Sequence, residues 1–404
     1  MKLRLAGHVL LLAVLVATQA SIAFDIFFVG KIAPLIADAL HRPLPALAPV
    51  FVAQQAGQAV GALVGGAVAD RWGRRRVLTF CLLMAGLATL VTPFSTSVLQ
   101  LALVRGAVGT FLGMAAPGLL ALVAANAPDR WRNLALGATL AANPLGNAAG
   151  SLVATRVAGP EAWGQGFILG GVFLVSVLVP LTFAPGGAAA SMSRRLPVAA
   201  LAAPPFRAAT FNLGLCFLLS MSLISLFAAW QPSYFHQLAG VPVQHFAAVA
   251  ALGGPGAIAG MLLTGAVANR VPRPVLAATI FGGHALVLIL IGVTPFAAPA
   301  FAPAYLLSVL LQAAGQGLLN IIIVERFPDT LRATAFGAAA AIGRFGGIFA
   351  PWFGAAPLVS GMDMAVLFAL LALIPAFVGL ILLSLGGVSH PQPQAWWAAG
   401  RRTP

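Results

Sequence analysis

The sequence predicts an all-α membrane protein of twelve transmembrane helices in two pseudo-symmetric six-helix halves. Three observations predict it. Hydrophobic residues make up 60% of the 404 residues and charged ones 7%, with a mean hydropathy of +0.99; a soluble domain carries about 25% charge, and so little cannot cover a surface facing water. The apolar residues fall in runs of about 20, the length of a bilayer-crossing helix, rather than in the alternating strands of a β-barrel. The chain also repeats itself. Residues 66–71 read GAVADR and residues 265–270 read GAVANR, 199 apart, while PDRWRNLALG at 128–137 returns as PDTLRATAFG at 328–337, 200 apart. Two matches at nearly one offset mark a duplicated unit.

The segments follow in order, each bounded by charge, glycine or proline. The first, 8–36, lies behind Lys2 and Arg4. The second, 46–69, runs from Pro45 to Asp70-Arg71, and the third, 77–94, from the arginines 74–76 to Pro93. The fourth, fifth and sixth occupy 98–124, 133–156 and 165–184. A stretch rich in Ala, Gly, Pro and Arg, 185–207, reads as a cytoplasmic linker between halves 1–184 and 208–388. The second half holds 208–235, 244–268, 274–294, 300–324, 331–357 and 363–386, before a cytoplasmic tail at 389–404. Residues 1–23 imitate a signal peptide, but the apolar run continues to about Ile36 and the repeat needs this helix, so cleavage is not expected.

The net charge is +14, and its placement excludes nucleic-acid binding. Seventeen of the 22 Lys and Arg lie at the termini or in every second loop, as the positive-inside rule requires when both termini are cytoplasmic. Cys81 and Cys216 lie inside apolar runs as small core residues. Neither a metal spacing nor a P-loop is present, so no metal, cofactor or ATP is expected. No nucleophile, base or metal cluster is arranged for catalysis, so the chain is not read as an enzyme.

GAVADRWGRRRVL at 66–78 resembles the loop 2–3 signature of the major facilitator superfamily, G-x-x-x-D-R-x-G-R-[RK]. LALVRGAVGTFLG at 101–113 resembles its fourth-helix arginine motif, and ERFPDTLRATAFG followed by GRFGGIFAP resembles its loop 10–11 and eleventh-helix pattern. Within that superfamily, Asp25, Gly30 and Ala33-Pro34 of the first segment are similar to the aromatic acid:proton symporters. Those usually carry a D-G-x-D pattern; here Ile22 stands at the first aspartate and Asp25 at the second. A glutamate often precedes the fifth helix; Ala125 stands there, while the second half keeps Glu325. The G-P-x-x-G-G of drug:proton antiporters is not kept at 146–151.

Ionisable residues inside membrane helices are functional candidates. Asp25 lies roughly 13 Å and Arg105 roughly 10 Å from the outer face, and the resemblance implies that both helices line a central cavity. Asp25 is expected to be the proton site beside Arg105, and Arg105 is expected, with Arg344, to meet the substrate anion; the alternative is a static ion pair. Arg344 lies near the midplane, where its fork suits a carboxylate, or else pairs with Asp25 or backbone carbonyls. His284 is read as a packing histidine and Lys31 as an interfacial anchor. Gln312, Gln316 and Asn320 form one stripe of amides; Gln54 with Gln58 and Asn143 with Asn147 form two more. These line the cavity or join helices. Phe28, Trp230 and Tyr234 hold an aromatic ring or serve packing. Asp70, Arg71, Arg74 and Arg75, with Glu325 and Arg332, are expected to gate.

The expected function is proton-coupled uptake of a small organic carboxylate, aromatic ones among them, by a monomer in a bacterial-type inner membrane. Its partners are an anionic substrate, the proton and the bilayer. The alternatives are proton-driven efflux of drugs or metabolites and, less so, a non-transporting membrane sensor.

Overall fold

The computed structural model describes residues 2–128, 131–178 and 198–386; side chains are described from Leu11 onward, except at Asp70, Asn133, Val198, Asp329, Ala333 and Gly386. The remainder of the linker and the tail at 389–404 lie outside the described residues. Every predicted segment carries a helix and no strand occurs among the described residues.

The first half holds α1 (Lys2–Lys31), α2 (Ala48–Trp72), α3 (Arg74–Val91), α4 (Val98–Asn126), α5 (Arg132–Ala154) and α6 (Gln165–Ser176). In the second half come α7 (Pro204–Ala239) and α8, made of Val243–Ala251 and Gly253–Val267. α9 passes from Arg273–Ala277 through a π-turn at Ala278–Gly282 into Gly283–Val293. α10 (Phe301–Arg326), α11 (Asp329–Phe353) and α12 (Met364–Gly386) complete it. Ten helical stretches are long and apolar enough to cross a membrane; α5 and the described part of α6 are not among them.

Proline shapes the boundaries. α1 breaks at Ile32, two residues before Pro34, and a short helix, Ala33–Ala39, continues from there, as the clash of a proline ring with the preceding turn requires. α7 starts at Pro204, four residues before the expected 208, because proline is preorganised for a first helical turn. Gly73 joins α2 to α3 at φ 90°, a conformation glycine adopts without cost to a Cβ.

The duplication is visible in the packing. α1 lies on α5, α2 on α4 and α3 on α6; α7 lies on α11, α8 on α10 and α9 on α12. Each pair recurs six helices later. Lipid offers no hydrophobic drive between helices, so close packing relies on small residues. A Cβ on Gly61 would lie 2.0 Å from Thr110 O, and one on Gly109 would lie 2.2 Å from Gln54 O. Gly260 repeats this in the second half, 2.2 Å from Leu310 O.

The apolar core decides which end is closed. One cluster joins both halves: Phe28, Ile32, Ile36 and Phe51 pack with Phe227, Trp230, Tyr234 and Phe246. It lies at the far end, away from the start of α1. At the near end each half keeps its own core, Leu15, Leu78 and Leu119 in one and Phe217, Leu318 and Leu382 in the other. The two halves therefore close on each other at the far end and have separate cores at the near end. Gly30 and Ala228 meet across the seam, where a Cβ would lie 1.9 Å from the Ala228 carbonyl. Phe51 meets Trp230 edge to face at 5.0 Å, and Gln244 Nε2 donates to Val157 O at 2.7 Å.

Candidate functional site

Asp25 and Arg105 meet inside the first half. Arg105 Nη2 donates to Asp25 Oδ2 at 3.0 Å and to the Asp25 carbonyl at 2.8 Å, and Nη1 reaches Oδ1 at 3.2 Å. Thr89 of α3 donates to Oδ1 at 2.9 Å. Arg105 Nε donates to Gln54 Oε1 at 2.9 Å, and Gln54 Nε2 donates to Ile26 O at 2.8 Å. The guanidinium carbon lies 5.3 Å from the centre of the Phe167 ring. Asp25 is 1% exposed and Arg105 is fully buried. A buried charge needs a partner and satisfied hydrogen-bonding groups, and four helices supply them here.

Arg344 is arranged differently. It is exposed, one turn closer to the near end than Gly347, and has no hydrogen-bond or ion-pair partner among the described residues. Gly347 faces the seam, where a Cβ would lie 3.1 Å from Ser225 Oγ and 3.2 Å from Gln55 Nε2. Of the two partners open to Asp25, the structure gives it Arg105 and not Arg344.

The amide stripes are divided. Gln54 belongs to the ion-pair cluster. Gln58 Nε2 donates to Gln55 Oε1 at 2.9 Å, and Gln55 Nε2 donates across the seam to Ser225 Oγ of α7 at 3.0 Å. Ser220 of α7 donates to Gln316 Oε1 at 3.3 Å, which turns the α10 stripe toward α7. Gln312 Nε2, Asn320 Oδ1 and Asn147 Oδ1 are buried atoms without a partner among the described residues, and Asn143 is exposed. On α5, Gly146 and Gly150 meet α1, Ala148 meets α8, and Leu145 and Leu152 are exposed. Helical spacing then turns Asn143 and Asn147 away from the leucine face, toward the space between the halves.

The aromatic candidates are packed in this closed arrangement. Trp230 Nε1 donates to Pro351 O at 2.6 Å and Tyr234 OH to Gly354 O at 2.7 Å, both serving carbonyls at the end of α11. Phe28 is buried between Phe24 and Phe167.

Among the gating candidates, Glu325 forms a two-pronged pair with Arg273. Arg74 stands one repeat earlier than Arg273, but Ala125 replaces the acid there. Arg332 Nε donates to Val324 O at 2.7 Å, and Arg132 Nε to Ala124 O at 3.0 Å; each arginine covers the carbonyl end of the preceding helix. Arg71 is exposed and Arg75 half-buried. The Asp70 side chain lies outside the described residues. His284 Nε2 lies 3.1 Å from Ser308 Oγ and is buried, as a packing histidine would be.

Sequence reasoning missed Thr89, Gln55 and Ser225. Gln55 had a signal, the adjacent pair Gln54-Gln55; Thr89 and Ser225 had none beyond lying in apolar segments.

Paired helices recurring in two halves, with charges buried inside the bundle, define a polytopic α-helical membrane protein built from two parallel helical repeats. The chain belongs to the Major Facilitator Superfamily, whose family description matches residues 15–351. It is 31% identical over 333 residues to the 3-(3-hydroxy-phenyl)propionate transporter of Escherichia coli (strain K12), covering 81% of each chain. It is 27% identical to the gallate transporter of Pseudomonas putida, over 90% of this chain and 88% of that one. A third relative is the 4-hydroxybenzoate transporter PcaK of Pseudomonas aeruginosa, 26% identical over 91% and 90%. These relatives transport aromatic acids, the group that the first segment resembles. The fold matches that of a bacterial homolog to the human lysosomal transporter Spinster, with TM-score 0.77 at 15% identity over 96% and 99% of the two chains. It also matches the xylose transporter XylE from E. coli, with TM-score 0.74 at 14% identity over 96% and 98%.

Proposed function

We propose that the protein is a secondary active transporter that takes up a small aromatic carboxylate together with protons by alternating access. The single observation that carries this reading is the Asp25–Arg105 pair, sealed at 1% and 0% exposure, in a chain whose relatives are named as transporters of aromatic acids. Asp25 takes and releases the driving proton. Arg344 meets the substrate carboxylate as a planar fork that has no partner among the described residues. The amides Gln312, Gln316, Asn320, Asn143 and Asn147 line its path and receive ring substituents. Asp70, Arg71, Arg74 and Arg75, with Glu325 and Arg332, work at the near end as it opens and closes. The chain lies in the inner membrane with both termini cytoplasmic, so the far end faces outward. It works as a monomer and needs no cofactor.

The test is uptake into liposomes holding the purified protein, using labelled 4-hydroxybenzoate, gallate and 3-(3-hydroxyphenyl)propionate under an imposed pH gradient. The reading expects gradient-driven uptake of at least one acid and its loss in Asp25→Asn. Uptake that ignores the gradient, or survives Asp25→Asn, sinks the coupling. Net export from cells would replace uptake with efflux.

A further inference from the structure

Neighbouring residues on a helix point about 100° apart, so Gln54 and Gln55 of α2 serve different halves of the molecule. Gln54 is 4% exposed and joins Arg105 of α4 to the Ile26 carbonyl of α1. Gln55 reaches Ser225 of α7. Both glutamines, with Phe27, Phe51, Ser225 and Pro351, line a cavity of about 30 Å³. On one side of it lies the core shared by the two halves; on the other the cores separate. The Gln55–Ser225 bond thus stands where the closed part of the seam ends.

We propose that Gln54 and Gln55 are positioning residues that connect the Asp25–Arg105 pair to the seam. Gln54 reads the state of the pair, and Gln55 with Ser225 is the latch that this state controls. The inference rests on Asp25 as the proton site. With Asp25 ionised, both carboxylate oxygens hold Arg105, and Nε fixes the Gln54 amide. A proton on Asp25 turns one carboxyl oxygen into a donor, which cannot accept from the guanidinium along that O–H. Arg105 then re-orients around its remaining bonds, to the unprotonated carboxyl oxygen and the Asp25 carbonyl, and takes its Nε away from Gln54. Gln54 and Gln55 share one helical turn, so α2 rotates as a unit and strains the bond to Ser225.

Among the described residues, the charged group facing Asp25 is Arg105 of α4. The other groups turned toward this part of α1 are uncharged: Thr89 of α3, Gln54 of α2, Gly146 and Gly150 of α5, Gly170 of α6 and Ala228 of α7. Lys31 lies farther along α1 itself.

The experiment measures the far-end distance between spin labels on Arg42→Cys and Val359→Cys. These positions line one far-end cavity from opposite halves. The full chain is placed in lipid nanodiscs and read at acidic and neutral pH. The wild-type background should show a pH-dependent shift between short and long distances, and Asp25→Asn should abolish it. Gln54→Leu should abolish it too, although Asp25 and Arg105 remain. Ser225→Ala should raise the open population at every pH by roughly fivefold, the order of one neutral hydrogen bond. Ser225→Thr, which keeps the hydroxyl, should restore the wild-type distribution. Where the leucine variant does not fold, Gln54→Asn replaces it and should weaken the pH response. A full response in the Gln54 variant, or unchanged distances in Ser225→Ala, overturns the link. A response lost in Asp25→Asn but kept in the Gln54 variant overturns the link alone. A wild-type background without any response removes the proton reading and the link together.

Discussion

Arg105 holds Asp25 by both its side chain and its main chain. One guanidinium nitrogen, Nη2, donates to the carboxylate at 3.0 Å and to the carbonyl of the same residue at 2.8 Å. The second contact is independent of the carboxylate's charge, so losing that charge loosens Arg105 without freeing it. This separates the roles that substitutions can test.

Asp25→Asn keeps the shape and the carbonyl contact but removes the charge. The expected outcome is a folded protein that still exchanges bound acid but loses gradient-driven accumulation. Asp25→Asn and Asp25→Ala both leave the guanidinium buried without its counter-ion, at a cost of about 3–5 kcal/mol; Asn keeps a side-chain oxygen that accepts from it, and Ala does not. Thermal unfolding in detergent should order the variants wild type, Asn, Ala. Adding Arg105→Met to Asp25→Ala should recover part of the loss.

Arg105→Lys keeps the charge but not the fork. An ammonium cannot serve the carboxylate, the carbonyl and Gln54 in the planar geometry that Arg105 uses. Each lost charge-assisted bond costs about 1.5–3 kcal/mol, so the melting temperature should fall. Transport should fall with it, even though the charge count is unchanged.

Arg344→Ala should leave stability nearly unchanged, because the side chain is exposed and without a partner among the described residues. Loss of a charged contact to the substrate should weaken apparent affinity about tenfold or more. Transport kinetics beside a thermal unfolding curve test both halves of this expectation. A stability loss with unchanged affinity would give Arg344 a structural role instead.

Gly61→Val should disrupt the first half, because even a Cβ would meet Thr110 O at 2.0 Å. Overpacking of this kind costs about 1–3 kcal/mol or more. Gly66→Ala is the control, since nothing lies within 4 Å of a Cβ there. Yield and melting temperature should fall for the first and hold for the second.

The helices were legible because a membrane-spanning segment is a local property, visible in hydropathy over about 20 residues. The Asp25–Arg105 pairing was legible in part, because both charges had to avoid lipid and lay at similar depth. The roles of the amides were less so. Gln54 and Gln58 share a stripe, yet one joins the ion pair and the other supports Gln55 at the seam. Trp230 and Tyr234 suited a ring-binding wall by residue type, but in the closed seam they serve the α11 carbonyls.

By itself, the sequence determined the membrane class, the duplication, the segment order and which helices carry charge. Composition, apolar run length and a repeat offset encode these directly. Tertiary structure alone decided that Arg105 and not Arg344 faces Asp25, that Gln55 crosses to Ser225, and that the far end is the closed one. Such facts depend on how each helix is rotated about its axis and how closely its glycines let it approach a neighbour. A rotation of one residue exchanges Gln54 for Gln55, and no pattern along the chain records which of the two meets the other half.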